Sequence, residues 1–497
     1  MKTLISCFII SSSFLLALNL CAQEMEYVID PSLDMGTFYS RGGIHQTLIH
    51  GNGNMLTSGS FFSASGAGTR TLLNYNGAVI FNNGVGSTLG PTKVYHYKDK
   101  YVSCGIQILQ AFNSNGTDYS FNFEFQKSAY NGFLGNDVMD AIVEPDDHIL
   151  AAGRFFTDST NIAPETIRQL CRVDSTGAPD PAFPMLHCAE PMDAYINDLD
   201  TLSDGSFIIS GHFYEFGGYI YNHVGKLKPD FSVDTTFTNS FGQGDLAVTE
   251  FVDSQDRIWL TLFDVDVYAD ENSPAISGMR FVRLFADGSI DPSFSMPQFI
   301  NTYVPGQISG VNDMIELPDG RFIIVGDFDG INGQARKKIA LIEDDGAVVE
   351  GIFEDYGADE ATWGTWTSEF GPALSSIELL SDGKLLIAGG FSSFGGQPYS
   401  CIVRLQPQPV STQDVVQKES LHIFPNPAEG SFTITRPNGD VSGQLDVEIY
   451  DLTGRLVFAS AGHYSEAPIY IEGLATGVYV VRAESTDAVY SGRLLVE

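Results

Sequence analysis

The sequence predicts an all-β chain: a seven-bladed β-propeller closed by its own N-terminal strand, followed by a small C-terminal β-sandwich. Three observations predict it. A unit of short apolar runs separated by Gly-bearing turns recurs along most of the chain. The final copy lacks its last run, while the region after the N-terminal apolar stretch carries a spare one. A polar, Pro-containing stretch then leads into a shorter segment of alternating strands.

Residues 311–353 carry the unit most cleanly. Leu317-Pro318-Asp319-Gly320 signals a tight turn, because glycine accepts positive φ and proline presets the bend. An apolar run, 322–325, ends at Gly326. A second run covers 338–342, and Asp344-Asp345-Gly346 turns it into a third, 347–353. With 311–316 in front, the unit reads as four short antiparallel strands. Such a sheet cannot bury both faces alone, so copies must stack. Further copies lie at 48–81, 94–121, 138–183, 196–237, 251–294 and 377–405, the first two weaker than the rest. The glycine after the second run recurs at Gly59, Gly105, Gly153, Gly211 and Gly389, whereas the fifth copy has Leu262 or Phe263 there. A period of roughly 40–50 residues with four strands per unit is the pattern of a propeller.

The seventh copy stops at Leu405 without the segment that reads DGSIDPSF in the fifth. Ile29-Asp30-Pro31-Ser32-Leu33-Asp34, reaching Phe38, matches the missing piece and is expected to supply the fourth strand of the last blade. With its DGK-apolar-GxF and DGxxDxxF segments, the stretch 29–405 resembles the delta-60 repeat propellers. That resemblance implies a fold rather than an activity.

Residues 1–22 read as a secretory signal: Lys2, an apolar stretch 4–20, then Ala22 before the expected cut. Cys21 opens a lipoprotein reading, although Leu20 stands where a lipobox needs a small residue. No other stretch is long and apolar enough to span a bilayer as a helix, so no transmembrane segment is expected. The net charge of −36 argues against nucleic acid or an anionic membrane surface as partner. Four cysteines follow the signal, at 104, 171, 188 and 401. They read as buried thiols, with a Cys171–Cys188 pairing open, and their spacing matches no zinc pattern.

Loops between the second and third strands, and between units, open on one face and hold the insertions. That face is therefore the expected binding surface for a glycan or surface-protein ligand. Tyr356, Trp363, Trp366 and Phe370 form an aromatic loop that either stacks on a ligand or covers the core. Asp264, Asp266, Asp270 and Glu271 could supply oxygen ligands to Ca2+, or be solvated acids, since no complete DxDxDG loop is present. No other cofactor is expected. His212 and His223 flank a hairpin without an evident third metal ligand. The repeated Asp-Gly pairs (Asp204-Gly205, Asp319-Gly320, Asp382-Gly383) read as turns, because repetition around a ring points to geometry. GxSxG, HExxH and phosphate-loop motifs are absent from the sequence, and no catalytic residue is assigned. Paired carboxylates for glycoside chemistry stay open among 62 acids.

Residues 23–405 thus form the expected propeller, 406–419 a linker and 420–497 a second domain. That domain shows about seven short alternating strands, as in a small sandwich. It resembles the type A C-terminal sorting domain of the type IX secretion system of Bacteroidota. The resemblance rests on FPNP with Pro425, Asn426 and Pro427, on VEIYDLTGRLV with Gly454, on LATGVYVVR with Gly477 and Tyr479, and on GRLLV with Arg493. It implies passage across the outer membrane by the type IX machinery, removal of the domain by a sortase-like peptidase, and a place on the cell surface or in the medium. The sequence reading is an exported, non-catalytic binding or adhesion propeller. The other reading is a glycan- or polysaccharide-degrading enzyme on the same scaffold.

Overall fold

A computed structural model describes most of the chain from Met25 to Val496. Outside the described residues lie 1–24, 35–38, 51–52, 64–65, 84–92, 106–107, 116, 118–128, 131–132, 135–136, 157–166, 185, 187, 190–193, 243, 245, 264, 266, 268–279, 301–309, 355, 362–372, 410–418, 436–443, 452–455, 465–466, 472, 485–488 and 497. The expected signal and its cut therefore lie outside them. The described residues are strands, turns and loops throughout. The chain divides into two compact units, 1–408 and 409–497.

In the first unit, antiparallel sheets follow one another in chain order, each a meander starting from an inner strand. The inner strands are Tyr39–Ile49, Lys93–Tyr97, Asp137–Val143, Tyr195–Thr201, Leu246–Val252, Val311–Glu316 and Leu374–Leu379, and they begin the first to seventh sheets. Second strands such as Phe207–His212 and Phe322–Gly326 are almost wholly buried, which is why they are continuous apolar runs rather than alternating ones. Apolar clusters bridge neighbouring sheets. Leu56, Leu72, Val94 and Tyr101 join the first to the second, and Val102, Cys104, Val138 and Ala151 the second to the third. Ile44, Met55, Leu386 and Ala388 join the seventh back to the first. The succession of sheets therefore closes on itself.

The recurring glycine has a steric cause. In the first, third, fourth, sixth and seventh sheets the inner strand bulges opposite the end of the second strand, as between Ile196 and Asp198 or Leu374 and Ser376. The bulge brings a carbonyl onto the glycine. A Cβ at Gly211 would lie 2.3 Å from the Tyr195 oxygen, and one at Gly389 2.2 Å from that of Ala373. In the fifth sheet the register shift falls elsewhere, between Thr249 and Phe251, so Leu262 sits opposite Ala247 without conflict.

The expected fourth strand needs correcting in most units. The first sheet has one, Val79–Asn83. In the third, fourth, fifth and sixth the segment makes only a single bridge, such as Leu284 with Ile290. The reason lies in the motif itself. Its aspartate turns the chain by accepting from the backbone N–H two residues on, then pairs with a base on the third strand. Asp180 does so with Arg172 and Asp291 with Arg283, at 2.6 and 2.7 Å. In the seventh sheet the N-terminal segment takes this place, as expected, one step earlier in the chain. Met25–Ile29 forms the edge strand beside Ile402–Pro409, and Asp30 to Asp34 make the turn.

The FGG segments of the fourth and seventh units also fold by geometry. Gly217-Gly218 and Gly395-Gly396 both hold positive φ, at 58° and 87° and at 56° and 72°, as a two-residue hairpin turn needs. Phe213, Phe216, Phe391 and Phe394 beside them are fully buried. In the fourth unit the hairpin extends through Cys188–Ala189, part of the preceding inter-sheet segment.

The second unit has a five-stranded sheet (Glu419–Ser420, Val489–Val496, Gly477–Glu484, Gln444–Asp451, Leu456–Tyr464, in spatial order) and three further strands, His422–Phe424, Ser431–Thr435 and Ile469–Tyr470. Phe432, Ile434, Val447, Ile449, Val481 and Leu494 form their shared core. Two of the segments singled out in the sequence hold each other. Asn426 Nδ2 donates to the Arg493 carbonyl at 2.6 Å, and its Oδ1 accepts from Leu495 N at 2.8 Å. The peptide bonds before Pro425 and Pro427 are both cis. Tyr479 donates to the Ala475 carbonyl at 2.8 Å, beside Gly477. Gly454 lies outside the described residues.

Candidate binding channel

The inner strands surround a cavity of about 560 Å³. Each sheet contributes to its wall: Gln46, Lys93, Asp140, Asp198, Val248, Asp313 and Ser375, in sheet order. In the first, third, fourth, sixth and seventh sheets the bulge explains how. It shifts the phase of the strand, so the residue after it turns from the sheet face towards the axis and the next sheet.

Most of these polar side chains stitch one sheet to the next. Gln46 Oε1 accepts from Val94 N at 2.6 Å, Asp140 Oδ2 from Leu199 N at 2.9 Å, and Asp313 Oδ2 from Ile377 N at 2.8 Å. Ser376 Oγ accepts from Thr47 N at 3.2 Å, which carries the stitching from the seventh sheet to the first. In the fourth sheet the acceptor comes from the second strand, Ser210 Oγ, which takes Thr249 N at 2.8 Å.

The second sheet departs from this rule, with Lys93 in the stitching position. Its ammonium lies 3.1 Å from Asp140 Oδ2 and 2.5 Å from Asp198 Oδ1, and the Tyr95 hydroxyl donates to Asp140. Burial opposes charge on all of them. For Lys93 the two carboxylates overcome that penalty and raise its pKa. For Asp140 burial is outweighed by Lys93 and by donated hydrogen bonds, so its carboxyl is held below the ordinary value. Asp198 moves the other way, raised by burial and by the charge on Asp140 despite Lys93. Around the lysine the two carboxyls are thus pushed in opposite directions. Burial also pushes Asp200 up to about 6, Asp313 to about 7 and Glu378 to about 8, with the Asp313 charge adding to the last. His45 is pushed down by burial and is neutral in the channel. The result is a polar wall that sets acidic groups beside one ammonium, suited to hydroxylated or zwitterionic groups.

Trp363, Trp366, Phe370, Asp264, Asp266, Asp270 and Glu271 are outside the described residues. Between the acids, Val265 and Val267 are buried, and Val267 bridges to Phe241. Tyr356 is half-buried. Its hydroxyl accepts from Ile29 N at 2.9 Å, and its ring stands edge-on to Phe394 at 5.4 Å. His212 and His223 do approach each other, with ring centroids 6.3 Å apart, and His223 Nδ1 lies 3.1 Å from the Gly211 carbonyl oxygen. Glu144, Asp146 and His148 bring ligand atoms within 4.8 Å of one another, but Arg172 fills that place, pairing with Glu144 and Asp146 at 2.6 Å each. The four cysteines are free and buried. Burial raises the Cys104, Cys171 and Cys188 thiols, so they are packing groups rather than nucleophiles. Sequence reasoning missed the channel. Its signal was the recurrence of VMDAI, INDLD and VNDMI, each placing an aspartate just ahead of an Asp-containing or Asp-Gly turn.

Residues 422–497 match the secretion system C-terminal sorting domain. Residues 276–294, 317–348 and 380–408 match a β-propeller domain of unknown function, DUF5122. The chain is a β-propeller followed by a type IX secretion sorting tail. That tail marks it for export across the outer membrane to the cell surface or extracellular space. No curated protein matches the chain. Among solved structures it is similar to PorZ, an essential surface component of the type IX secretion system of Porphyromonas gingivalis. The identity is 12%, covering 89% of this chain and 64% of that one, with a TM-score of 0.33. It is also similar to the extracellular domain of the two-component system BT4673 of B. thetaiotaomicron (9%, covering 95% and 59%, TM-score 0.40). A third is virginiamycin B lyase of Staphylococcus aureus (8%, covering 77% and 99%, TM-score 0.42). The chain spans about six-tenths of the length of the first two. Among the described residues no helix is long and apolar enough to cross a membrane.

Proposed function

We propose that the chain is a seven-bladed propeller closed by its N-terminal strand, which works outside the cell as a non-catalytic binding module for a glycan or surface protein. Its C-terminal sandwich is the cleavable address, removed by a sortase-like peptidase. The supporting observation is the use made of the channel acids. Asp140 and Asp313 are each engaged by backbone N–H groups of their own and the next sheet, which commits them to architecture. The ligand then meets the channel mouth. The stretch with Trp363, Trp366 and Phe370 is the candidate aromatic contact, and Asp264, Asp266, Asp270 and Glu271 are the candidates for Ca2+. A glycan-degrading enzyme is the second reading. It draws on Glu378, which burial and the charge on Asp313 push up to about 8, in the range a general acid needs.

The test is a glycan and surface-protein array probed with the mature chain, with turnover assayed on every hit. Binding without turnover, weakened by Trp363→Ala with Trp366→Ala at an unchanged melting midpoint, is the expected result. Turnover abolished by Glu378→Gln would replace this reading with the second. A double tryptophan variant that melts far lower would assign the loop to the core.

A further inference from the structure

The junction of the first and second sheets holds a cluster that touches the channel wall only through His96 and takes no part in its stitching. His50 follows the inner strand of the first sheet. His96 and Tyr101 face each other across the first two strands of the second. The three ring centroids form a nearly equilateral triangle, with sides of 5.6 Å for His50–His96, 6.0 Å for His50–Tyr101 and 5.7 Å for His96–Tyr101. Imidazoles sharing one ion at about 2 Å from each nitrogen have centroids roughly 5–6 Å apart.

Two further observations point to a ligand. His50 Nδ1 and Tyr101 Oη are both buried, and neither finds a hydrogen-bond partner among the described residues. Tyr101 as a whole is 1% exposed. Buried polar atoms ordinarily have a partner, so two orphans in one cluster call for a shared one. His96 also has its tautomer fixed. Its Nε2 lies 2.8 Å from the Ile49 carbonyl oxygen, which only accepts, so Nε2 carries the proton and Nδ1 keeps its lone pair. A carbonyl on the far ring nitrogen is the usual way a metal-ligating imidazole is oriented.

We propose that His50 and His96, with the Tyr101 hydroxyl, bind one divalent transition-metal ion of the zinc, nickel or copper class where the first two sheets meet. Imidazole donors select that class over calcium or magnesium, whose sites are built from carboxylates and carbonyls. His96 is exposed, which gives the ion a route in and leaves room for water in the remaining positions. The ion would cross-link the end of the first inner strand to the second sheet. The inference is independent of the ligand-binding reading.

The test uses the metal-stripped mature chain, titrated with Zn2+ by calorimetry and with Co2+ by visible absorption. One equivalent of Zn2+ at micromolar or tighter affinity is expected. His96→Gln and His50→Gln should each weaken it about tenfold or more. Tyr101→Phe retains the ring that stacks on Phe112 but should alter the Co2+ spectrum. His96→Gln lies on an exposed side chain, so its metal-free melting midpoint should equal that of the parent, which separates a lost ligand from a lost fold. A parent that takes up no equivalent of Zn2+, or uptake that survives the His50→Gln/His96→Gln double substitution, overturns the proposal.

Discussion

Asp30→Ala tests how the two ends of the propeller are held together. Asp30 is 3% exposed and gathers four donors: Arg404 Nε at 2.8 Å, Lys384 Nζ at 2.9 Å, and Ser32 N and Oγ at 2.9 and 2.7 Å. Arg404 is fully buried. It also donates to the Tyr75 carbonyl at 2.5 Å and lies 4.0 Å over the Tyr75 ring. One guanidinium thus joins the N-terminal segment, the seventh sheet and a turn of the first. Removing the carboxylate leaves that buried charge without its counter-ion, which typically costs about 3–5 kcal/mol. A melting entropy of roughly 2.1 cal/mol/K per residue over about 380 residues gives about 0.8 kcal/mol/K, so the midpoint should fall by about 4–6 °C. Asp382→Ala is the control. Its carboxylate is more exposed, and its pairing with Lys384 at 3.5 Å should be worth less than about 1 kcal/mol. The pH dependence follows from the same contacts. Burial alone would raise the Asp30 carboxyl, but hydrogen bonds from Ser32, Lys384 and Arg404 hold it far below its ordinary value. A depressed carboxyl stabilises fully above its unfolded pKa of about 3.9 and loses that contribution as pH falls towards the folded value. The deficit of Asp30→Asn should therefore be largest near pH 7 and shrink below pH 4. Scanning calorimetry of parent and variants reads both effects. An Asp30→Ala midpoint within about 1 °C of the parent at pH 7, or an Asp30→Asn deficit unchanged at pH 3, would refute the latch.

Four further outcomes are expected. Gly389→Ala should cost about 1–3 kcal/mol in thermal melts through the clash with the Ala373 carbonyl. Leu262→Ala, at the matching place in the fifth sheet, should lose about 2–5 kcal/mol for the opposite reason, an emptied core site; a silent Gly389→Ala would contradict the bulge argument. Glu378, pushed up to about 8 by burial and by Asp313, keeps its proton in the folded state while the unfolded chain ionises above its model value of 4.5. The parent should therefore lose stability relative to Glu378→Gln as pH rises from about 4.5 to 8, and the difference should level off above that, as read by denaturant titration. A chain ending at Gln408 should fold yet remain in the periplasm of a type IX-competent host, and its appearance at the surface in normal amounts would contradict the role of the tail.

Turn chemistry made the architecture readable. Asp-Gly and Gly-Gly pairs, placed at fixed offsets from buried apolar runs, announce hairpins whatever surrounds them, and the tail carries its motifs in order. DPSF and its relatives look extended between two apolar residues, and so read as a fourth strand. The aspartate spends its side chain on the backbone just ahead and on a base of the third strand, as with Asp180 and Arg172, so the segment hooks rather than pairs. Nothing in a local window distinguishes those outcomes. The base that decides it sits eight residues upstream in a different strand.

The channel was hidden for a related reason. Its wall takes about one short stretch from each inner strand, far apart in sequence, and no single stretch resembles a site. Comparing the copies with one another would have exposed it. At the position after the bulge, Gln46, Asp140, Asp313 and Ser376 are acceptors, and an acceptor is what an N–H group of the next sheet requires there. Lys93 breaks the series. An ammonium cannot accept, so the second sheet cannot stitch to the third in the same way. Asp140 and Asp198 instead close around the lysine at 3.1 and 2.5 Å. The charge therefore sits where the repeat rule is broken. In a chain of near-copies, residues that agree report the geometry they share, while one that disagrees changes the chemistry of the wall. By that argument Lys93, rather than the many repeated aspartates, gives this channel its individual character.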